Sequence, residues 1–505
     1  MSPQKRPNLL YIHSDQHSPY VMGCAGDTLA HTPNLDRLAT SGAILENCYC
    51  PSPICVPSRM SMLTGQHPYQ NHVWTNRHIM DSGIPTFAHA MGAAGYRPVL
   101  VGRMHSLGPD QLHGYVDRLV GDHGPNHLGG SSVDRGVLEG TAGPQRISLD
   151  RSGPGQSAYQ VHDEVVTAAT IDYLNQVAVL KRAGQMERPF CLTVGYMLPH
   201  PPYVARREDY ALYADRMTMP GNPEAFSDDL HPHLRWWRQH TGSVEVDRET
   251  VLRARAAYWG LVTRVDAMIG QILQALEEND LAGNTLIVYT SDHGDMLGEH
   301  GLWWKHTFYE ESAKVPLVVS WPGAILPGQR YKRVVSAVDV TATMIDALGA
   351  PALPNAAGKS FLHLLVASPD ARSEETGPGD EWEDLAFSEY CSDEFCPEGG
   401  CYQRMVRLGD WKLIYYHGQE PQLFDLAEDP DELVDRARDP ACRSVREELE
   451  QRVLADWDPA RIAQEMAAKR ADAKILHEWA QATHPADQFR WNLKPTMNYL
   501  ESEGE

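Results

Sequence analysis

Two spacings of apolar residues divide this chain. Over most of its length, short unbroken apolar runs alternate with longer stretches whose apolar residues recur three and four positions apart, so strands and helices take turns. Residues 8–13 (Asn-Leu-Leu-Tyr-Ile-His), 98–101, 189–197, 285–290 (Thr-Leu-Ile-Val-Tyr-Thr) and 315–321 read as buried strands. Residues 34–42, 85–95, 159–180, 249–279 and 337–348 read as helices. The clearest is 249–279. There Leu252, Trp259, Val262, Ile269, Leu273 and Leu276 form one stripe that should cover a sheet face, and Gly283-Asn284 stops it.

From about residue 375 the spacing shortens to two. Residues 385–390, 402–408 and 411–416 alternate like antiparallel strands, with Gly409-Asp410 as a hairpin turn. Helices follow at 443–457 and 462–483. The tail, 488–505, carries Phe489, Trp491 and Tyr499. Aromatic rings are costly to leave in water, so this tail is expected to cover another subunit of a homo-oligomer. The change of spacing divides the chain into residues 1–374 and 375–505. Residues 121–157 contain no Phe, Trp or Tyr and are rich in Gly, Pro and Ser, which reads as a long loop. Residues 206–247 are largely polar, carry Trp236 and Trp237, and read as a lid or substrate loop.

Charge alters the picture. The 505 residues carry 44 Lys and Arg against 67 Asp and Glu, a net charge of −23. That excess of acid argues against nucleic acid or an anionic membrane as partner. An anionic substrate would need a local cluster of cations, because the global field repels it. Residues 1–7 are polar and basic, so no secretory leader is expected, and the nine cysteines are read as reduced thiols of a cytoplasmic protein.

The candidate chemistry sits where apolar runs end. Ser14-Asp15-Gln16 follows the first run, and Asp292-His293 follows 285–290. Carboxylates at the ends of parallel strands lie where open α/β sheets place their sites; the plainer reading is that Asp15 and Asp292 cap the next segment. Arg103 and His105 follow 98–101 and share a face if the strand end stays extended, pairing a cation with a base. Pro199-His200-Pro201 fixes a histidine in a rigid loop. Cys55-Val56-Pro57-Ser58-Arg59 places a thiol at the start of a helix, where free N–H groups favour an anion, with Arg59 four residues on. A lone Cys near Pro is otherwise a small buried hydrophobe.

Together with Leu63-Thr64-Gly65, the Cys55 string resembles the sulfatase signature. The resemblance covers nearly the whole chain, including Leu423-Phe424-Asp425-Leu426 near its end. It implies an alkaline-phosphatase-like α/β/α sandwich with a large mixed, mainly parallel sheet and a smaller C-terminal antiparallel sheet. It also implies that a formylglycine-generating enzyme oxidises Cys55 to formylglycine, whose hydrate is the nucleophile. Asp15, Gln16, Asp292 and His293 would hold one divalent cation, manganese or calcium, with residue 55. Arg59, Arg103 and Lys305 would hold sulfate oxygens, His105 would serve as base, and His200 or Lys305 would protonate the leaving group. Asn76 stands where related phosphonate hydrolases and choline sulfatases carry a substrate contact. The chain departs from the family at Gln16, where a second acid is usual, and at Arg103, where the motif has Lys. Leu107 to Gly114 looks close to choline sulfatases, whereas the loop 121–157 lacks the aromatic faces that would hold a trimethylammonium group. The expected activity is hydrolysis of small sulfate monoesters. The alternatives are a phosphonate monoester hydrolase of the same superfamily and a non-catalytic oxyanion-binding protein.

Overall fold

Alternation within the first strand sets the layers of the molecule. In a computed structural model, which describes residues 6–186, 188–222, 230–366 and 382–501, the strand Asn8–Asp15 is buried along its whole length. Successive side chains leave it on opposite faces. Leu10 and Ile12 enter one hydrophobic cluster with Val262, Ile269 and Leu276 of the helix Arg248–Glu278. Leu9 and Tyr11 enter another with Val56 and Met60 of the helix Cys55–Thr64 and Met344 of the helix Ala337–Ala347. The result is the expected sandwich of helices on both faces of one sheet.

Among the described residues, that sheet has nine strands. Asn8–Asp15 pairs in parallel with Thr285–Ser291 on one side and with Phe190–Pro199 on the other, and Phe190–Pro199 pairs in parallel with Arg97–Gly102. Leu317–Ser320 runs antiparallel between Thr285–Ser291 and Ala43–Tyr49, which makes the sheet mixed. The smaller sheet is antiparallel, in the order Leu385–Ser392, Cys401–Leu408, Trp411–Tyr416, Gln422–Asp425. The division expected at 374/375 lies outside the described residues.

Three expectations need correction. The tail packs in part on its own chain rather than wholly on a second subunit, although Phe489 and Tyr499 stay exposed. The Trp491 N–H donates to the Asp122 carbonyl at 2.8 Å, its ring meets His162, and Tyr499–Leu500 pairs with Gly155 and Gln156 of the loop 121–157. Apolar area and unpaired backbone on the same chain meet part of that need. Within 206–247, the helix Pro232–Thr241 buries Trp237 against His306, so this part is packed structure. The strand Arg97–Gly102 ends before Arg103, and His105 has a left-handed φ of 61°, so the two do not share an extended strand face.

Candidate active site

Four neighbouring parallel strands deliver the site at their carboxyl ends. Asp15 ends one, Asp292 follows the next, His200 follows Phe190–Pro199 and Arg103 follows Arg97–Gly102. Because the strands run in register, the end of each lies beside the end of its neighbour. Gly195 permits the last approach: a Cβ there would collide with the Arg103 carbonyl.

The helix Cys55–Thr64 enters beneath these strand ends and is buried throughout. The Ser58 hydroxyl donates to the Asp292 carbonyl at 2.6 Å, and the Asn76 Oδ1 accepts from the Val56 N–H at 2.9 Å. Asn76 thus satisfies a free donor at the helix start as well as lining the cleft described below. The Cys55 Sγ lies 3.1 Å from Lys305 Nζ, 3.3 Å from His293 Nε2 and 3.6 Å from Asp15 Oδ1.

Asp15, Cys55, Asp292 and His293 offer ligand atoms that all lie within 4.8 Å of one another, the single such group among the described residues. The donor chemistry fits a divalent cation. Burial opposes ionisation of Asp15, but Arg103, His200, Arg59 and Lys305 outweigh it and hold the carboxyl well below the usual range. Burial lowers His293 to about 4, so its ring is neutral, and Nδ1 donates to the Gly294 carbonyl at 3.1 Å. That bond leaves the Nε2 lone pair facing the cluster, as a metal-binding imidazole requires. Gln16, in left-handed backbone, places its Oε1 2.7 Å from Lys305 Nζ at the edge of the group. Three cations, Arg59, Arg103 and Lys305, face four carboxylates, Asp15, Asp122, Asp292 and Asp295. A doubly charged ion reverses the sign of that balance and makes the centre attractive to an anion.

Arg59 serves differently from the expectation. Its Nε donates to Asp292 at 2.8 Å, one terminal nitrogen to His13 and the Arg103 carbonyl, and the other to Asp15 and the Ser14 carbonyl. Its N–H groups are spent inside the protein, so it orients the carboxylates. Arg103 is less committed. Its Nε reaches Asp15 at 2.6 Å and Nη1 reaches Asp122 at 3.0 Å, while Nη2 meets only the neutral His105 Nδ1 at 2.9 Å. Burial, then Arg103, pushes His105 well below its ordinary value. His200, lowered by burial and then by Lys305, donates from Nδ1 to the Pro201 carbonyl at 2.7 Å, which leaves its Nε2 lone pair free.

A cleft of about 230 Å³ opens beside Gln16, Asn76, His200 and Lys305. Trp74, Tyr390 and Phe395 form other walls, with Ala142 to Pro144 of the loop 121–157. The aromatic faces missing from that loop therefore come from elsewhere. Sequence reasoning missed Asp122, which also accepts from the His105 N–H at 2.9 Å, and Asp295, which accepts from Gln16 at 2.7 Å. Asp295 had a signal, since it closes the string Asp292-His293-Gly294-Asp295. Asp122 had none, because no period runs through its loop.

The chain is similar to known proteins along most of its length. The sulfatase family model matches residues 7–350, and a model of the C-terminal part of N-sulphoglucosamine sulphohydrolase matches 298–457. A choline-sulfatase of Rhizobium meliloti is 32% identical, with 98% of this chain and 95% of that protein covered. Arylsulfatase K of Gallus gallus is 30% identical, covering 86% and 79%. The phosphonate monoester hydrolase of Agrobacterium radiobacter superposes with a TM-score of 0.69 at 23% identity, covering 93% and 96%, a likeness of fold.

Proposed function

The chain belongs to the sulfatase family and is a sulfuric ester hydrolase, and from that premise we propose that it cleaves small sulfate monoesters at residue 55 after conversion of Cys55 to formylglycine. The convergence of Lys305, His293 and Asp15 on the Cys55 Sγ is the observation that carries this reading. Burial, then Asp15, pushes the Cys55 thiol up to about 11, so the unconverted side chain is protonated at neutral pH and a poor nucleophile. Cys55 is 1% exposed, so the converting enzyme must reach it before the chain closes over it.

Asp15, Asp292, His293 and the Gln16 amide oxygen would hold the divalent cation, whose chemistry is to make a hydroxyl of the hydrated aldehyde acidic. The imidazole in this set favours manganese over calcium. Lys305 points an N–H at residue 55 and binds an ester oxygen. Arg103 offers Nη2, its one nitrogen not spent on a carboxylate. A sulfate oxygen that takes Nη2 releases His105 Nδ1, which then accepts a proton from the second hydroxyl as sulfate departs. His200 lies along the cleft, where the leaving group must sit. Lys305 is the better proton donor to that group, because His200 arrives neutral. Trp74, Tyr390 and Phe395 suit a ring or a compact organic cation as leaving group.

Gln16 and His293 also suit a phosphonate monoester hydrolase, the second reading. Turnover of nitrophenyl sulfate, choline sulfate and an aryl phosphonate by converted, manganese-loaded protein separates the two. Sulfate esters are expected to give the highest kcat/KM, and superior phosphonate turnover would reverse the order.

A further inference from the structure

Asp295 touches neither the cluster nor Cys55, yet it is wholly buried and accepts four hydrogen bonds. Its Oδ2 takes the Gln16 Nε2–H at 2.7 Å and the Tyr203 hydroxyl at 2.6 Å. Its Oδ1 takes the backbone N–H groups of Leu297 and Trp304, each at 3.0 Å. The first pair fixes which way the Gln16 amide points. The second pair ties down the segment that ends in Lys305. Gln16 Oε1 and Lys305 Nζ then meet at 2.7 Å, and Lys305 reaches Cys55 Sγ.

We propose that Asp295 is the positioning residue of this site: it orients the Gln16 amide so that Oε1 faces Lys305 and the cation ligands, and so sets both. The inference rests on the cation-dependent reading above. An amide has one acceptor end and one donor end, and only an acceptor at residue 295 leaves the Gln16 oxygen free for Lys305. In Asp295→Asn the new NH2 meets the Gln16 NH2, or it turns to the Leu297 and Trp304 N–H groups and loosens the segment that carries Lys305, or the Gln16 amide turns over and presents its donor to the Lys305 ammonium. Every arrangement sets donor against donor. Groups that orient metal ligands are worth about 10–100-fold in metal affinity.

The test exchanges the two groups. Manganese affinity is measured by titration calorimetry on wild type, D295N, Q16E and the double variant D295N/Q16E, with the melting temperature of each. The carboxylate introduced by Q16E accepts from both the amide introduced by D295N and Lys305, so the double variant restores the pairing with the same total charge. D295N is expected to lose about 10–100-fold in affinity. Q16E brings a second acid but sets it against the Asp295 carboxylate, so the double variant is expected to recover most of the D295N loss and to bind more tightly than either single variant, which is strong non-additivity. A packing role alone would give additive losses. Additive losses, or D295N binding manganese as wild type does, would overturn the inference and leave the sulfatase reading standing if wild type still turns over sulfate esters. If D295N does not fold, a folded, manganese-binding double variant still supports the pairing, and failure of both to fold overturns it.

Discussion

Two of the buried clusters of charge among the described residues do different things. One gathers Asp15, Asp292, Arg59, Arg103 and Lys305 at the strand ends. The other lies where the smaller sheet meets the larger. There Lys412 Nζ sits 3.0 Å from Glu310 and 2.8 Å from Glu432, and the Tyr49 hydroxyl donates to Glu310 at 2.9 Å. In the second cluster the cation lies between the acids and spends its charge on them. In the first, Arg59 and Arg103 satisfy the carboxylates from one side, while His293, Cys55 and Lys305 converge from the other beside a cleft. Burial of charge therefore does not mark a site. Nor does open space, since a wider cleft borders Glu432 of the second cluster. Ligand atoms converging on one point do.

Four variants probe that contrast, from the largest expected effect to the smallest. Cys55→Ala should lower kcat/KM for nitrophenyl sulfate by about 10⁴-fold or more with the melting temperature nearly unchanged. Lys412→Met should do the reverse. It removes the cation shared by Glu310 and Glu432, leaving Lys314 at 3.5 Å from Glu310, and should cost about 3–5 kcal/mol of stability in denaturant titration, with kcat per folded molecule preserved. Equal loss of kcat would mean that the second cluster serves the reaction. Arg103→Lys keeps the charge but cannot reach Asp15, Asp122 and substrate together, and kcat should fall by about 10²–10³-fold in steady-state assays.

The smallest effect is a pH slope. Burial, then Glu432, raises Glu311 from the ordinary 4.5 to about 8. The folded chain then keeps a proton that the unfolded chain releases near pH 4.5. Its contribution is complete below that value and is lost as pH rises through about 8. The melting temperature should therefore fall over that range, and Glu311→Gln should flatten the fall. An unchanged slope in the variant would place the titration elsewhere.

Much of the fold could be read from apolar spacing, because each strand of the large sheet's centre is a buried run closed by a polar string. The same rule exposed Asp15, Arg103, His200 and Asp292. Partners could not be read that way. Arg59 stands on the expected helix face, yet only the strand ends around it decide that it meets Asp15 and Asp292. Asp122 acts through a loop with no period, and the tail that covers that loop lies hundreds of positions away. Trp74 reaches the cleft from a segment far along the chain from Tyr390 and Phe395, so no local signal joins it to them.

The most direct test plots sulfatase activity against the fraction of residue 55 converted, read by peptide mass spectrometry on batches made with graded amounts of the converting enzyme. The account predicts a straight line through the origin. Full activity in a batch whose Cys55 remains a thiol would contradict it.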